Sequence, residues 1–289
     1  NLSQKDSILE QQYKKAETLF ENNNYVESLR LAFALYEQTK NNKSTKIHYL
    51  VTNLIAKIYR QNKEHKKAVV FYKKSVRLIL LNTSYNKDLG SFNNRDYAEN
   101  LLRLGGEYQL LKMNDSAIFY YYKLAKLNSL TDEVLGFQAS SYSNLAGIYQ
   151  YDTTMLNHYE KAIEFSERAI AIHKKRNKRV SQAFAINNLA NVYLLQGDFE
   201  KSKKKYSEGI NLIKRDTSRR AIRIKAGLYN NLSWAMRQLK EYEAYDYQET
   251  AYNMKDGLRD LETKEMLERV NGEYNVDVVR KAGEFEKQK

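Results

Sequence analysis

Apolar and small residues recur along this chain at helical spacing, in a block that returns along most of its length. The clearest copies read Asn144-Leu145-Ala146-x-x-Tyr149, Asn188-Leu189-Ala190-x-x-Tyr193 and Asn231-Leu232-Ser233-x-x-Met236. Fainter copies are Leu104-Gly105-x-x-Tyr108, Ile55-Ala56-x-x-Tyr59 and Lys15-Ala16-x-x-Leu19. Successive copies stand 40, 49, 41, 44 and 43 residues apart. A second block follows four of them: His65-x-x-Ala68-x-x-x-Tyr72-x-x-Ser75, Asn114-x-x-Ala117-x-x-x-Tyr121-x-x-Leu124, Tyr159-x-x-Ala162-x-x-x-Ser166-x-x-Ala169, and Gly197-x-Phe199-x-x-Ser202-x-x-x-Tyr206-x-x-Gly209. Spacings of three and four place each block on one face of a helix. The pattern therefore predicts helix pairs, repeated, with no strand.

Small and bulky residues alternate for a packing reason. Two helices approach closely only where a small residue faces the partner, and the bulky residue one turn away fills the groove beside the contact. One pair cannot bury its own apolar face, so pairs stack. These blocks resemble the tetratricopeptide repeat, a helix–turn–helix unit of about 34 residues. The resemblance covers six units, roughly residues 5–256, and implies a right-handed α-solenoid. The period here is longer, with extra residues in connections such as Asn82–Asn94 and Tyr151–Asn157. In the first unit Lys15 occupies a normally apolar position. Residues 257–289 are expected to form a capping helix, interrupted at Asn271-Gly272, and then a charged exit helix.

Composition agrees with helices. The 289 residues include no proline, 11 glycines and 24 tyrosines. Proline breaks helix interiors, and its absence favours long uninterrupted ones. With no cysteine, thiolate catalysis, disulfides and zinc–thiolate sites within the chain are excluded. None of the four histidines, His48, His65, His158 and His173, has a His or Cys partner three or four residues on. No metal pair is therefore expected on one helix face. Gly105-Gly106 stands where a first helix needs a small residue, and no strand precedes it as a phosphate loop would require. The residues point away from an enzyme and from any cofactor. The chain opens on Asn1 with no signal-like apolar segment, which reads as a piece of something longer.

In tetratricopeptide arrays the first helix of each pair lines a concave groove. The resemblance places Ser140, Ser143, Asn144 and Gln150 there in the fourth unit. It adds Asn187, Asn188, Asn191 and Leu194 in the fifth, and Asn230, Asn231, Trp234 and Arg237 in the sixth. An amide offers two donors and an acceptor, so a column of asparagines can hold the backbone of an extended peptide. Trp234, the only tryptophan, can anchor a side chain beside it. The Asn-Leu-Ala phrase is similar to that of kinesin-light-chain-type repeats, where such asparagines hold peptides. The alternative is that they only bond the neighbouring helix. A groove built for carboxylates needs Lys and Arg at set positions; only Lys57, Arg60 and Arg237 fit, in distant units.

Charge is uneven. The net charge is +13, and His173 to Lys225 holds 15 Lys/Arg against 4 Asp/Glu, whereas Glu241 to Lys289 holds 8 against 13. Lys174, Lys175, Arg176, Arg179, Arg215, Arg219, Arg220 and Arg223 are expected to form a basic edge. Such an edge suits an acidic protein or an anionic glycan. Nucleic acid is not favoured, because aromatics do not interleave with the lysines. The stretch Val270-Asn271-Gly272-Glu273-Tyr274-Asn275-Val276-Asp277-Val278-Val279-Arg280-Lys281 resembles the segment after the repeats in membrane-bound sensor histidine kinases and regulators of the Bacteroidetes type. That resemblance implies a periplasmic sensor module, monomeric in isolation and dimerising in a full-length receptor, with membrane attachment only through segments outside this chain. The alternatives are a cytoplasmic peptide receptor of the quorum-sensing type and an assembly scaffold.

Overall fold

The computed structural model describes residues 4–41, 45–85, 93–128 and 131–287. Among these, every regular element is an α-helix: α1 (Gln4–Glu21), α2 (Tyr25–Thr39), α3 (Thr45–Gln61), α4 (His65–Tyr85), α5 (Asn93–Leu110), α6 (Asn114–Ala125), α7 (Asp132–Tyr149), α8 (His158–Lys175), α9 (Arg179–Leu195), α10 (Phe199–Leu212), α11 (Arg219–Gln238) and α12 (Ala244–Lys287). Consecutive helices pair, so the chain is an α-solenoid of helix pairs, as the blocks predict. It divides into two compact units, Asn1–Arg176 with α1–α8 and Asn177–Lys289 with α9–α12. No helix among the described residues is long and apolar enough to cross a membrane.

Inside a pair the turn is stereotyped. Asn23, Lys63, Lys112, Gly197 and Lys240 each adopt a left-handed φ between 58° and 79° just past the end of a first helix. The next residue's N–H then donates back to the carbonyl that closes the repeat block: Asn24 to Leu19, Glu64 to Tyr59, Met113 to Tyr108, Asp198 to Tyr193 and Glu241 to Met236. This is the Schellman end, which satisfies carbonyls left open at a helix C-terminus. The fourth pair departs from it because its turn is longer. There the Tyr149 carbonyl accepts from the Asp152 N–H at 3.1 Å and from Nδ1 of His158 at 3.0 Å. A carbonyl has no proton to give, so the His158 ring carries its proton on Nδ1.

The small residues lie where helices meet. Ala16, Ala56, Ala146, Ala190 and Ser233 on first helices, and Ser28, Ala68, Ala117, Ala162, Ser202 and Ala244 on second helices, are all fully buried. In the first pair the Ser28 hydroxyl donates to the Ala16 carbonyl at 2.7 Å, so the two positions touch. At Gly105 a Cβ would stand 2.4 Å from the Tyr121 ring. Lys15 is exposed, so it takes no part in the packing that its repeat position makes elsewhere. The expected interruption at Asn271-Gly272 does not occur: α12 continues through both residues. A glycine inside a helix costs only about 1 kcal/mol, too little to break one this long. The connection at 86–92 and the side chains of Val276, Val278, Val279 and Phe285 lie outside the described residues.

These contacts give two stability predictions of opposite sign. Gly105→Ala should destabilise the chain by about 1–3 kcal/mol, because a rigid ring must move. Lys112→Gly should stabilise it by roughly 1 kcal/mol by relieving a left-handed side-chain-bearing residue. Urea unfolding of the two variants checks both.

Candidate functional site

In the second unit α9, α10 and α11 bring the asparagines together. Asn231 Nδ2 donates to Asn187 Oδ1 at 3.2 Å and to Asn191 Oδ1 at 3.1 Å. Asn230 Nδ2 donates to Asn231 Oδ1 at 3.3 Å. The Tyr206 hydroxyl, reaching from α10, donates to Asn191 Oδ1 at 2.6 Å. The amides therefore do bond the neighbouring helix. The lattice still leaves the Nδ2 groups of Asn187 and Asn191 and the Oδ1 of Asn230 outside these bonds, and all three residues are half-exposed. Trp234, one turn along α11, is 51% exposed, and the Arg237 guanidinium lies 4.9 Å from the centre of its ring. That is cation–π distance, and it stiffens both side chains.

Two expected groove residues are placed otherwise. Asn188 is buried at 5% exposure and Ser143 at 2%. Neighbouring residues on a helix point about 100° apart, and here Asn188 and Ser143 turn into the packing while Asn187 and Asn144 stay half-exposed. The Ser143 hydroxyl donates to the Ala139 carbonyl at 3.1 Å. Ser140 likewise donates to Gly136, and Gln150 to Gly147. Asn144 is half-exposed and lies beside the Tyr121 hydroxyl, whose pKa burial holds well above the ordinary phenol range.

The basic residues also divide. Lys174, Lys175 and Arg176 belong to the first unit, and Arg179, Arg215, Arg219, Arg220 and Arg223 to the second. Arg176 grips Asp132 through two bonds of 2.8 and 2.9 Å, with its guanidinium filling the space over Gly136. Arg219 takes Glu265 with both terminal nitrogens, and Arg223 takes Glu262 at 2.8 Å. These three arginines are occupied by the chain's own acids, two of them by the acidic final helix. Lys174, Lys175, Arg179, Arg215 and Arg220 are exposed.

Several polar residues that the repeat blocks did not mark also organise the structure. Lys225, 7% exposed, donates to the carbonyls of Lys214 at 3.3 Å and Asp216 at 2.8 Å, closing the turn between α10 and α11. In the first unit the carboxylate of Glu107 on α5 is fully buried between His65 Nδ1 at 2.7 Å and Arg60 Nε at 3.4 Å. No sequence signal marks Glu107, because its partners lie more than 40 residues away.

Residues 53–79, which cover the second half of α3 and most of α4, match the family model for the tetratricopeptide repeat. No curated protein matches the sequence. Among solved structures, BtubC (BKLC) from P. vanneervenii superposes with a TM-score of 0.61 at 14% identity, over 87% of this chain and 92% of that one. A tetratricopeptide repeat protein from Parabacteroides merdae superposes with a TM-score of 0.57 at 14% identity, over 88% and 87%. Acl4, described as the assembly chaperone of RpL4, gives 0.58 at 13%, over 90% and 98%. At these identities the likeness is one of fold: helix pairs of tetratricopeptide type along most of the chain.

The amide lattice yields a test of its structural share. Asn191→Ala removes the acceptor of a buried phenol and should cost about 1–3 kcal/mol. Adding Tyr206→Phe should recover part of that loss, since the hydroxyl that lost its Asn191 acceptor goes with it. A double-mutant cycle by urea unfolding measures the coupling, and strict additivity would show that the 2.6 Å bond carries none.

Proposed function

We propose that this chain is a protein- or peptide-binding module, and that the α9–α11 face of its second unit holds an extended peptide backbone. The observation that carries this reading is the half-used amide lattice. Asn187, Asn191 and Asn230 spend one side of their amides on the lattice centred on Asn231 and leave the opposite donors and acceptor unspent. Fixed amides are better ligands than mobile ones, because their side-chain entropy is already lost before binding. Trp234, braced by Arg237, adds a flat apolar anchor beside them. The fold likeness to an assembly chaperone, whose client is a protein, supports the same class of partner.

Within this reading the chain serves as the sensor portion of a membrane-bound signalling protein, outside the cytoplasm. Support comes from the resemblance of the stretch ending at Lys289 to the segment that follows repeats in such receptors. The unbroken course of α12, a 44-residue helix, adds a physical argument. A single long helix can carry a displacement of the repeats to whatever follows it.

Peptides selected from a random display library on the full chain test the binding site. Because Trp234 is the only tryptophan, its emission reports directly on this face. Selected peptides should shift that emission, and Trp234→Ala or Asn187→Ala should weaken them at least about fivefold, the loss of one hydrogen bond or anchor. Peptides that bind tightly without moving the emission, and tolerate both substitutions, place the site elsewhere.

A further inference from the structure

Rings at two repeat positions meet where one helix pair stacks on the next. Three residues after the small residue of a second helix stand Phe71, Phe165 and Tyr247, counted from Ala68, Ala162 and Ala244. Five residues after it stand Phe33, Tyr122 and Ser207, counted from Ser28, Ala117 and Ser202. In the first unit the later position of one pair packs on the earlier position of the next. Phe33 lies edge-on to Phe71 with ring centres 5.8 Å apart and planes at 86°. Tyr122 lies edge-on to Phe165 at 5.7 Å and 77°. Edge-to-face is a preferred meeting of two aromatic rings at such distances. Where Lys73 takes the later position, its amine covers Tyr108, which stacks on Tyr120 at 5.6 Å.

The second unit prepares the same contact and leaves it incomplete. Tyr229 and Tyr247 stack at 5.8 Å and 15°, as Tyr142 and Phe165 stack at 5.9 Å and 17°. Tyr142 stands two residues before Asn144 and Tyr229 two before Asn231, so both stacks hold one place in the repeat. Beside the first stack lies the ring of Tyr122. At the matching place beside the second stands Ser207, and a cavity of about 250 Å³ opens there between α10, α11 and α12. Ile210 and Leu232, both buried, join the two tyrosines on its apolar side. Asn211 and Lys214 follow Ser207 along one face of α10 and are exposed at the rim. Lys214 forms no ion pair among the described residues. Burial and the nearby Tyr247 push the Tyr229 pKa up, so that ring is a neutral phenol at physiological pH and does not repel an anion.

We propose that this cavity binds a small aromatic acid, whose ring lies edge-on to Tyr247 in the place that Phe33 and Tyr122 fill in their own junctions, and whose carboxylate meets Lys214 and the Asn211 amide. Size supports a free molecule of one ring: an apolar cavity of about 150 Å³ takes benzene, which leaves room here for one short substituent. The ring recovers the dispersion and edge-to-face contact that Ser207 forgoes. Lys214 donates a charge-assisted hydrogen bond, the stronger kind. The site is built from α10, α11 and α12 and uses neither the asparagine lattice nor Trp234, so it stands or falls apart from the peptide-binding face.

Ligand-observed NMR titration of the full chain with benzoate, 4-hydroxybenzoate and phenylacetate tests it, beside cyclohexanecarboxylate and benzyl alcohol. At least one of the three aromatic acids should bind, and more tightly than either control. Ser207→Tyr installs the ring that Tyr122 supplies in the first unit. It should raise the melting temperature by filling the cavity and weaken the acids at least about tenfold by occupying their place. A gain in stability together with a loss of binding separates an occupied site from a damaged fold. Lys214→Met, at an exposed position, should hold the melting temperature and weaken the acids about tenfold, the worth of a hydrogen bond to a charged group. Should Ser207→Tyr fail to fold, Lys214→Met carries the test, and unchanged affinity in it overturns the proposal. A folded Ser207→Tyr that binds the acids as the parent does also overturns it, as does failure of all three acids to bind at millimolar concentration. Equal binding of cyclohexanecarboxylate overturns the assignment to an aromatic ring, and equal binding of benzyl alcohol the assignment to an acid.

Discussion

Helix pairs in this chain depend on backbones coming close at positions where side chains are nearly absent. Ala56, Gly105, Ala146 and Ala190 on first helices, and Ala68, Ala117, Ala162 and Ser202 on their partners, make that approach. Dispersion between packed atoms falls steeply with distance, so a gap of even half an ångström forfeits much of the attraction. Everything larger is arranged around this contact. The aromatic residue one turn along, Tyr59, Tyr108 or Tyr149, fills the space beside it and lends its carbonyl to the turn. The second-helix tyrosine, Tyr72, Tyr121 or Tyr206, is buried between the helices and must place its hydroxyl against whatever the first helix offers.

This explains which parts of the architecture are legible in the sequence. Small residues at fixed spacing from aromatics are a one-dimensional record of a local contact, so the helix pairs follow from the blocks alone. Lys63, Lys112 and Lys240 carry no comparable mark. They adopt the left-handed turn that Gly197 adopts, because the Schellman hydrogen bond outweighs their steric cost of about 1–2 kcal/mol each. The continuity of α12 through Asn271-Gly272 was equally hidden. Local propensity suggests a break, yet each end of that stretch is already part of a long hydrogen-bonded helix, and propagation costs far less than a new nucleus.

The candidate sites were legible only in part, for a related reason. Asn187, Asn191, Asn230 and Asn231 can be assigned to a groove from repeat position, and the structure gathers them. Asn188 and Ser143 share the phrase but not the direction, since one residue along a helix turns the side chain away. The basic edge misleads in another way. Charge counts treat every arginine alike, whereas Arg176, Arg219 and Arg223 are engaged by Asp132, Glu262 and Glu265. Their acidic partners stand 39 to 46 residues distant in sequence, beyond any local reading. Lys57 and Arg60 looked isolated for the same reason, because Arg103 and Tyr72 join them only through the stacking of α3, α4 and α5.

Polar groups buried by this packing set the terms on which the repeats diversify. The repeat position that bears Gln109 in one pair bears Arg60 in another, and the tyrosine twelve residues on is otherwise kept. With glutamine the phenol is satisfied and the contact is closed. With arginine the phenol proton is left over and a second positive charge is added beside it, so the same scaffold contact becomes an unfinished one. Glu107 shows the opposite solution: a buried carboxylate placed beside Arg60 and His65 neutralises the inner side of that arginine. Arg60 thus has a compensated face toward the core and an uncompensated face toward Tyr72 and Lys57. A solenoid can therefore change how a buried polar contact is completed by one substitution at a helix–helix contact, without altering the small residues that let the helices meet.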